Sequence, residues 1–343
     1  MEHVAIDLGA TASQVCVRSE RGEVLEERRM ETNRLSGWLQ KRPTARVVME
    51  SCAEAFAVAD GAKAAGHEVR VVPSTLSKTL GVGRRGVKND VKDARVLSEA
   101  SCALAELPSV HVPTEWTRHL KAMLKARKSL VDARTQLINS VRGYLRTKLV
   151  TLRKGNTKGF PEAVRKRLAM APEGLPRFIE AELDIIATLT EKIKQADTEL
   201  TEVAKAHAVC TRLMTVPGTG ALTALAFVAA IEDVGRFRHA HAVEAYLGLV
   251  PGERSSGEKE RRTGITKAGT GSCRTLLVQA AWCFWRHRKQ HPAVQWTERV
   301  ASRRGRFIAI VALARKLAGI LFALWRDGTS YDPTYLETRS VMT

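Results

Sequence analysis

Three short segments that alternate apolar and polar residues open the chain: 3–7 (HVAID), 13–18 (SQVCVR) and about 22–28 (GEVLEER). Alternation with a period of two marks a strand with one buried face. Turns containing Gly9 and Gly22 separate the segments, so they predict an antiparallel three-stranded meander. A helical stretch follows at 34–41, then a short apolar strand at 46–50 (RVVME), a helix at 53–66, and a strand at 68–73 stopped by Pro73. Residues 89–106 read as a helix with Asn89 or Asp90 near its start. Few folds accept this β-β-β-α-β-α-β-α order with the hairpins first.

The order is that of ribonuclease H-like domains, and it assigns residues 1–110 to one α/β domain. It also sharpens a question about VAIDLGATAS at 4–13. An Asp-x-Gly-x-Thr loop surrounds phosphate in actin-like kinases, whereas ribonuclease H-like nucleases and transposases use an aspartate on the first strand as a metal ligand. A kinase needs a second phosphate hairpin in a second related domain, and the chain has none.

Four carboxylates favour the nuclease-like chemistry. Asp7 ends the first strand and Glu50 the fourth, which are neighbours in such a sheet. Asp90 and Asp93 are three apart on a helix and share a face. Taken singly, each has an ordinary explanation as a turn residue, a cap or a solvated first helical turn. Gathered together, they repel unless cations neutralise them. Mg²⁺ suits oxygen ligands, and two such ions clamp the attacking and leaving oxygens of a phosphodiester.

The charge balance names the partner. With 55 Lys+Arg against 36 Asp+Glu the formal charge is +19, which points to a polyanion, nucleic acid before membrane. The chain has 343 residues, 44% of them hydrophobic, enough for two or three domains. Asp7 interrupts the first apolar run too early for a signal peptide. No segment reads as long and apolar enough to span a membrane. The six cysteines form no Cys-x-x-Cys pair and read as reduced core residues, and the scattered histidines complete no zinc site.

Residues 116–150 and 174–210 are long helical patterns. Leu120, Leu124, Val131, Leu137, Val141 and Leu145 share a face of the first. Ile186, Leu189, Ile193, Ala196, Leu200, Val203 and Cys210 form a near-heptad stripe in the second. A helical coiled-coil connector over 111–210 is expected, either a spacer or an arm for assembly or RNA. Its first helix is one-sidedly basic, and Lys125, Arg127, Lys128, Arg134, Arg142 and Arg146 are assigned to phosphate neutralisation.

Residues 211–330 are expected to be mainly short helices around two glycine-rich stretches, with a tail over 331–343. VPGTG at 216–220 has the form of a helix-hairpin-helix, in which Gly218 and Gly220 let backbone N–H groups hold a DNA phosphate. A plain interhelical turn fits the same residues. PGERSSGEKERRTGITKAGTG at 251–271 is polar and basic between apolar segments. It is either a flexible loop or a place where a serine, helped by cations such as Arg254 and Lys267, attacks phosphorus.

With these residues in hand, the whole chain resembles the IS110-type insertion-sequence transposases, the DEDD transposases or bridge-RNA-guided recombinases. AIDLGAT, VVMES, GVKNDVKDARVLSEA, SLVDARTQLINSVRGYLR, LMTVPGTGALTA and AYLGLVPGERSSGEKERRTGITKAGTGSCRTLLVQAAW carry the resemblance. It implies a RuvC-like (ribonuclease H-like) domain with Mg²⁺ at Asp7, Glu50, Asp90 and Asp93, a coiled-coil connector, and a C-terminal transposase domain. It implies a serine nucleophile, Ser256 by position with Ser255 adjacent, that forms a phosphoserine bond to DNA. It further implies a structured noncoding guide RNA, double-stranded DNA at element ends and target, dimers assembling to tetramers, and a prokaryotic cytoplasmic setting at the nucleoid. The rival expectations are a RuvC-type nuclease or junction resolvase with water as nucleophile, and a non-catalytic nucleic-acid-binding protein.

Overall fold

The computed structural model describes residues 1–76, 90–152, 155–170, 174–253 and 262–332. The chain divides into two compact units, Met1–Thr114 and Glu115–Thr343.

The first unit is built on a five-stranded sheet of order β3-β2-β1-β4-β5. Its strands are β1 (Glu2–Asp7), β2 (Ala12–Arg18), β3 (Val24–Glu31), β4 (Ala45–Glu50) and β5 (Glu68–Val72). β1, β2 and β3 pair antiparallel as the expected meander, while β4 and β5 add in parallel on the other side of β1. Parallel neighbours need crossovers, and the helices α1 (Leu35–Leu39) and α2 (Ala55–Ala64) provide them. Helix α3 (Asp90–Ala103) follows β5.

The period-two alternation divides the sheet into unlike faces. Val4, Ile6, Val15, Val17, Val47 and Met49 form one apolar layer with Leu35, Leu39, Val58 and Ala62 of α1 and α2. The opposite parity places His3, Asp7, Cys16, Arg18, Arg46 and Glu50 on the other face, which α3 covers. The edge strand β3 carries VLEERRME. Arg42 joins its Glu26 to Glu2 of β1, and a charged edge resists pairing with another chain.

The second unit is helical. α4 (Glu115–Thr147) and α6 (Arg177–Ala206) are 33 and 30 residues long, with α5 (Phe160–Leu168) between them. Cross-helix contacts join Arg127 to Asp197, Arg134 to Thr190 and Ser140 to Glu182. The partner's number falls as the first rises, so the long helices run antiparallel. Ile138, Val141 and Leu145 pack with Ile179, Leu183 and Ile186 at one end. At the other, Leu120, Leu200 and Ala204 join the main core.

That core surrounds α8 (Ala221–Ile231), in which every residue from Thr223 to Ile231 is buried. A helix apolar all round belongs at the centre of a helical layer. α7 (Ala208–Leu213), α9 (Ala240–Tyr246), α10 (Gly271–His287), α11 (Pro292–Arg304) and α12 (Arg306–Asp327) complete the unit. Three of these departures from the sequence reading have simple causes. α10 and α12 are long, not short, because they line a deep core. A two-stranded hairpin, β6 (Pro251–Glu253) with β7 (Arg262–Ile265), escaped notice because its strands are too brief for periodicity. Finally, α12 is the one helix among the described residues long and apolar enough to cross a membrane, which corrects the expectation of none. Its apolar length is accounted for by burial: Leu313, Leu317, Leu321 and Phe322 are enclosed in the main core.

Candidate functional site

In the first unit, strand register brings two of the predicted carboxylates together. β1 and β4 are parallel with Ile6 opposite Met49. The next residues, Asp7 and Glu50, therefore end adjacent strands side by side and on one face. Directly opposite neighbours on a sheet stand about 5 Å apart at Cβ. On its other side Asp7 pairs with Gln14 of β2.

The same face is the one that α3 covers, and polar contacts fix how it lies. His3 Nδ1 is 2.8 Å from Ser101 Oγ. Cys16, opposite Ala5 in register, has its Sγ 3.3 Å from Ser98 Oγ, to which Arg18 Nε also donates at 2.8 Å. Arg46 donates to the carbonyls of Ser101 and Leu104 at 3.3 and 3.2 Å. The helix therefore runs antiparallel to β1, its C-terminal end over His3. Four strand residues from His3 to Asp7 cover about 13 Å, which a helix covers in about nine residues. Counting nine back from Ser101 reaches Lys92, next to Asp93, which is buried at 7% exposure. Asp90 opens the helix one turn further on; its side chain lies outside the described residues.

Further contacts pin this end of the sheet. The turn after Asp7 is tied by a hydroxyl chain: Gly9 N–H donates to Ser13 Oγ, which lies 2.8 Å from Thr32 Oγ1, and Thr32 Oγ1 donates to the Gly9 carbonyl at 2.6 Å. Arg95, two residues after Asp93, forms a two-pronged ion pair with Glu27 of β3. That guanidinium holds the Glu27 carboxyl below the usual carboxylate range. Ser13, Thr32, Ser98 and Arg95 were not picked out from the sequence. The only linear signal for the three hydroxyl residues is their recurrence among apolar neighbours; Arg95 has none.

Among the described residues, no three His, Cys, Asp or Glu side chains gather as a ready metal site. The donor chemistry still fits a hard divalent cation: Asp7, Glu50 and Asp93 offer only oxygens, and two of them end adjacent strands. The cysteines are not competing ligands. All six are free, and burial pushes the thiols of Cys210 and Cys273 up to about 12, which keeps them protonated.

In the second unit, the basic face of α4 divides in two. Lys125 and Arg146 are exposed. Lys128 is exposed too but pairs with Asp132 one turn on. Arg142 lies over the Phe160 ring at 5.4 Å. Arg127 and Arg134 instead turn to α6, Arg127 donating to Asp197 at 2.7 Å and Arg134 to Thr190 at 3.4 Å. Two acids thus offset this face, Asp132 on α4 itself and Asp197, 70 residues away from Arg127, on α6. Burial pushes the nearby Lys121 ammonium down, with Glu232 opposing that shift.

Gly218 and Gly220 form the turn between α7 and α8. Gly218 has φ +84°, and a Cβ there would stand 2.5 Å from the Ala280 carbonyl oxygen of α10. Backbone conformation and close packing thus require a glycine at 218. Gly220 caps α8 with extended backbone and open space around it. A cleft of about 380 Å³ lies beside this turn, lined in part by Thr201, Gly220, Leu222, Gln279 and Cys283.

The second glycine-rich stretch is held at its ends. β6 pairs with β7, Glu253 opposite Arg262. Arg254, Ser255 and Ser256 lie outside the described residues. Lys267 is exposed with φ +55°, a conformation uncommon outside glycine. Arg274 stabilises that bend from below, donating to the carbonyls of Leu247 and Ala268 at 2.9 and 2.8 Å. Gly269 permits the close approach, since a Cβ there would meet the Tyr246 carbonyl oxygen at 2.1 Å.

Comparison with known proteins bears on both units. The family model described as Transposase IS116/IS110/IS902 family matches residues 210–295, and a transposase model for the DEDD domain of IS110-type elements matches residues 4–149. The transposase for insertion sequence element IS1111A of Coxiella burnetii is 33% identical over 96% of this chain and 90% of its own length. A probable family 20 transposase of Pseudomonas aeruginosa is 30% identical over 97% of this chain and 99% of its own. The IS1328 transposase of Yersinia enterocolitica is 29% identical over 96% and 98%. Matches of this extent span the sheet with its carboxylates and the helical unit alike: the chain belongs to the IS116/IS110/IS902 family of insertion-sequence transposases, enzymes that process DNA.

Proposed function

We propose that the protein moves its insertion sequence by cutting and rejoining DNA through a covalent serine intermediate. The observation that carries this reading is the side-by-side ending of Asp7 and Glu50 on the sheet face beneath α3. The strand order supports a ribonuclease H-like (RuvC-like) domain over 1–110, followed by a connector over 111–210 that acts as an antiparallel coiled coil. Residues 211–330 form the transposase domain, with VPGTG as the turn of a helix-hairpin-helix and 331–343 as a tail.

Asp7, Glu50, Asp90 and Asp93 would hold Mg²⁺. Bound there, the ions would neutralise the carboxylates and polarise the scissile phosphate. Ser256, or its neighbour Ser255, attacks phosphorus through Oγ and gives up its proton. The P–O bond to the leaving 3′-oxygen breaks, that oxygen takes a proton, and the DNA stays linked to the protein by its 5′-phosphate. Attack by the 3′-hydroxyl of another strand reverses these steps and releases the serine. The phosphoserine conserves the bond energy, so no ATP is consumed. Lys125, Lys128, Arg142, Arg146, Arg254 and Lys267 steer the nucleic acid, and the backbone at Gly218 and Gly220 receives a phosphate. A structured guide RNA from the element selects target and donor, and dimers pair into tetramers on the DNA in the cytoplasm.

The test uses protein co-expressed with the DNA flanking its gene, so that any RNA is supplied. End-labelled junction DNA and Mg²⁺ are added, the mixture is denatured in SDS, and label migrating with protein is sought. An adduct is expected, lost in both Ser256→Ala and Asp7→Asn. If Ser255→Ala alone abolishes it, the nucleophile is Ser255. Free cleaved DNA without an adduct, unaffected by either serine change, means a RuvC-type hydrolytic nuclease and removes serine from the mechanism.

A further inference from the structure

The surface where α10 meets the start of α12 combines two features in one cleft. The first is aromatic. Trp282 and Trp285 lie parallel, 6° between planes and 5.5 Å between centroids. Trp285 is buried and anchored, its Nε1 donating to Glu298 at 3.3 Å. Trp282 is only partly covered, and Phe307, which also lines this surface, is 83% exposed. These rings border a cleft of about 460 Å³, within the range of small-ligand sites.

The second feature is charge. Arg306 lies over both indoles, 5.8 Å from the Trp285 centroid and 6.0 Å from that of Trp282, and Arg286 lies over Trp282 at 5.8 Å. Lys289 completes the lining. Residues 286–306 hold seven arginines or lysines and one acid, Glu298. That acid is already shared between the Trp285 indole and Lys289. The cleft therefore sets aromatic rings and a surplus of cations side by side.

We propose that this cleft binds an unpaired nucleotide of DNA, its base stacked on Trp282 and against Phe307, its phosphates on Arg286, Lys289 and Arg306. A duplex hides its base faces within the stack, so only an unpaired base can use the rings. Cutting and exchanging strands exposes such bases. The inference rests on the protein's being a DNA transposase and needs neither the carboxylates nor the serine.

The full chain, without divalent metal, is titrated into three labelled ligands: a short single-stranded oligodeoxynucleotide, the same strand made abasic, and its duplex. Anisotropy gives the affinities, and the variants are Phe307→Ala, Trp282→Ala and Trp282→Phe. Loss of one stacked base corresponds to an affinity change of about ten-fold or more. The single strand is expected to weaken by that factor in Phe307→Ala and Trp282→Ala and to recover in Trp282→Phe. Binding of the abasic strand and the duplex stays unchanged. Phe307 is so exposed that its truncation leaves folding intact, which guards against a Trp282→Ala protein that misfolds. Equal losses on all three ligands, or none on any, would overturn the proposal. So would tighter binding of the RNA strand of the same sequence, or displacement of the strand by an acidic peptide at equal concentration. Because metal is absent, a failed adduct assay leaves this result untouched.

Discussion

The two units bury polar groups by opposite rules. In the sheet unit one face packs an apolar layer against α1 and α2, while the other seats α3 through hydroxyls, a thiol and guanidinium groups: Ser98 and Ser101 against Cys16, Arg18, His3 and Arg46. In the helical unit the centre is apolar in every direction around α8, and cations are sent to the rim. The difference shows where precise placement comes from. A polar seam has direction and tolerates one register, so it fixes how α3 lies along the sheet. An apolar core supplies stability but tolerates sliding, so the helical unit secures its critical bends separately, with Arg274 and Gly218.

The largest effect that tests this contrast is Phe227→Ala. Phe227 is fully buried in α8 within the main core. Its truncation is expected to cost about 3–5 kcal/mol. Hydrogen exchange should show lost protection across α8, α10 and α12, with β1 and β4 unchanged. Lost protection in the sheet as well would mean that the units fold as one cooperative body and that the contrast has no thermodynamic content.

A smaller change probes the seam. Ser98 is fully buried; besides its contact with Cys16 and the bond from Arg18, it donates to the Arg95 carbonyl at 2.7 Å. Ser98→Ala is expected to destabilise by about 1–3 kcal/mol, the scale for leaving a buried donor without its acceptor. If Asp93 acts with Asp7 and Glu50 as proposed, strand transfer should fall further than the folded fraction does, because the seam fixes how α3 lies on the sheet. Activity that merely follows the folded fraction would show that α3 finds its register without the hydroxyl.

Much of this contrast was legible in the amino-acid order, and the remainder had physical reasons to stay hidden. Period-two alternation and strand-ending Asp7 and Glu50 are local signals, and three-residue spacing puts Asp90 and Asp93 on one helix face. The seam is not local: His3 and Ser101 lie 98 positions apart, and Arg18 and Ser98 are 80 apart. Nothing near Ser98 announces a partner. Likewise Arg127 reads as one more surface cation until α6 brings Asp197 to it. The apolar stretches of α12 on either side of Arg315 and Lys316 reflect enclosure by its neighbours, which a linear reading cannot see. The cations of 286–306 are spread over a helix end, a turn and two further helices, so no single periodicity collects them. The stretch around Ser256 carries composition but no period, and its role stays with the proposed chemistry.

The smallest effect separates cations that hold the hairpin from cations that meet nucleic acid. Arg127 is partly covered and paired across helices, whereas Lys125, two residues before it, is exposed. Partly exposed ion pairs contribute little, so Arg127→Ala is expected to cost about 0.5–1 kcal/mol of stability. It should leave the salt dependence of DNA binding as it was. Lys125→Ala should do the reverse, leaving stability within about 0.5 kcal/mol and reducing the slope of log affinity against log salt by about one. The two substitutions remove the same charge from neighbouring helical positions, so net charge alone predicts identical outcomes. A matched drop in slope would show that DNA responds to the overall +19 and not to a particular face of α4. A slope change confined to Lys125→Ala would place the nucleic acid on the face turned away from α6.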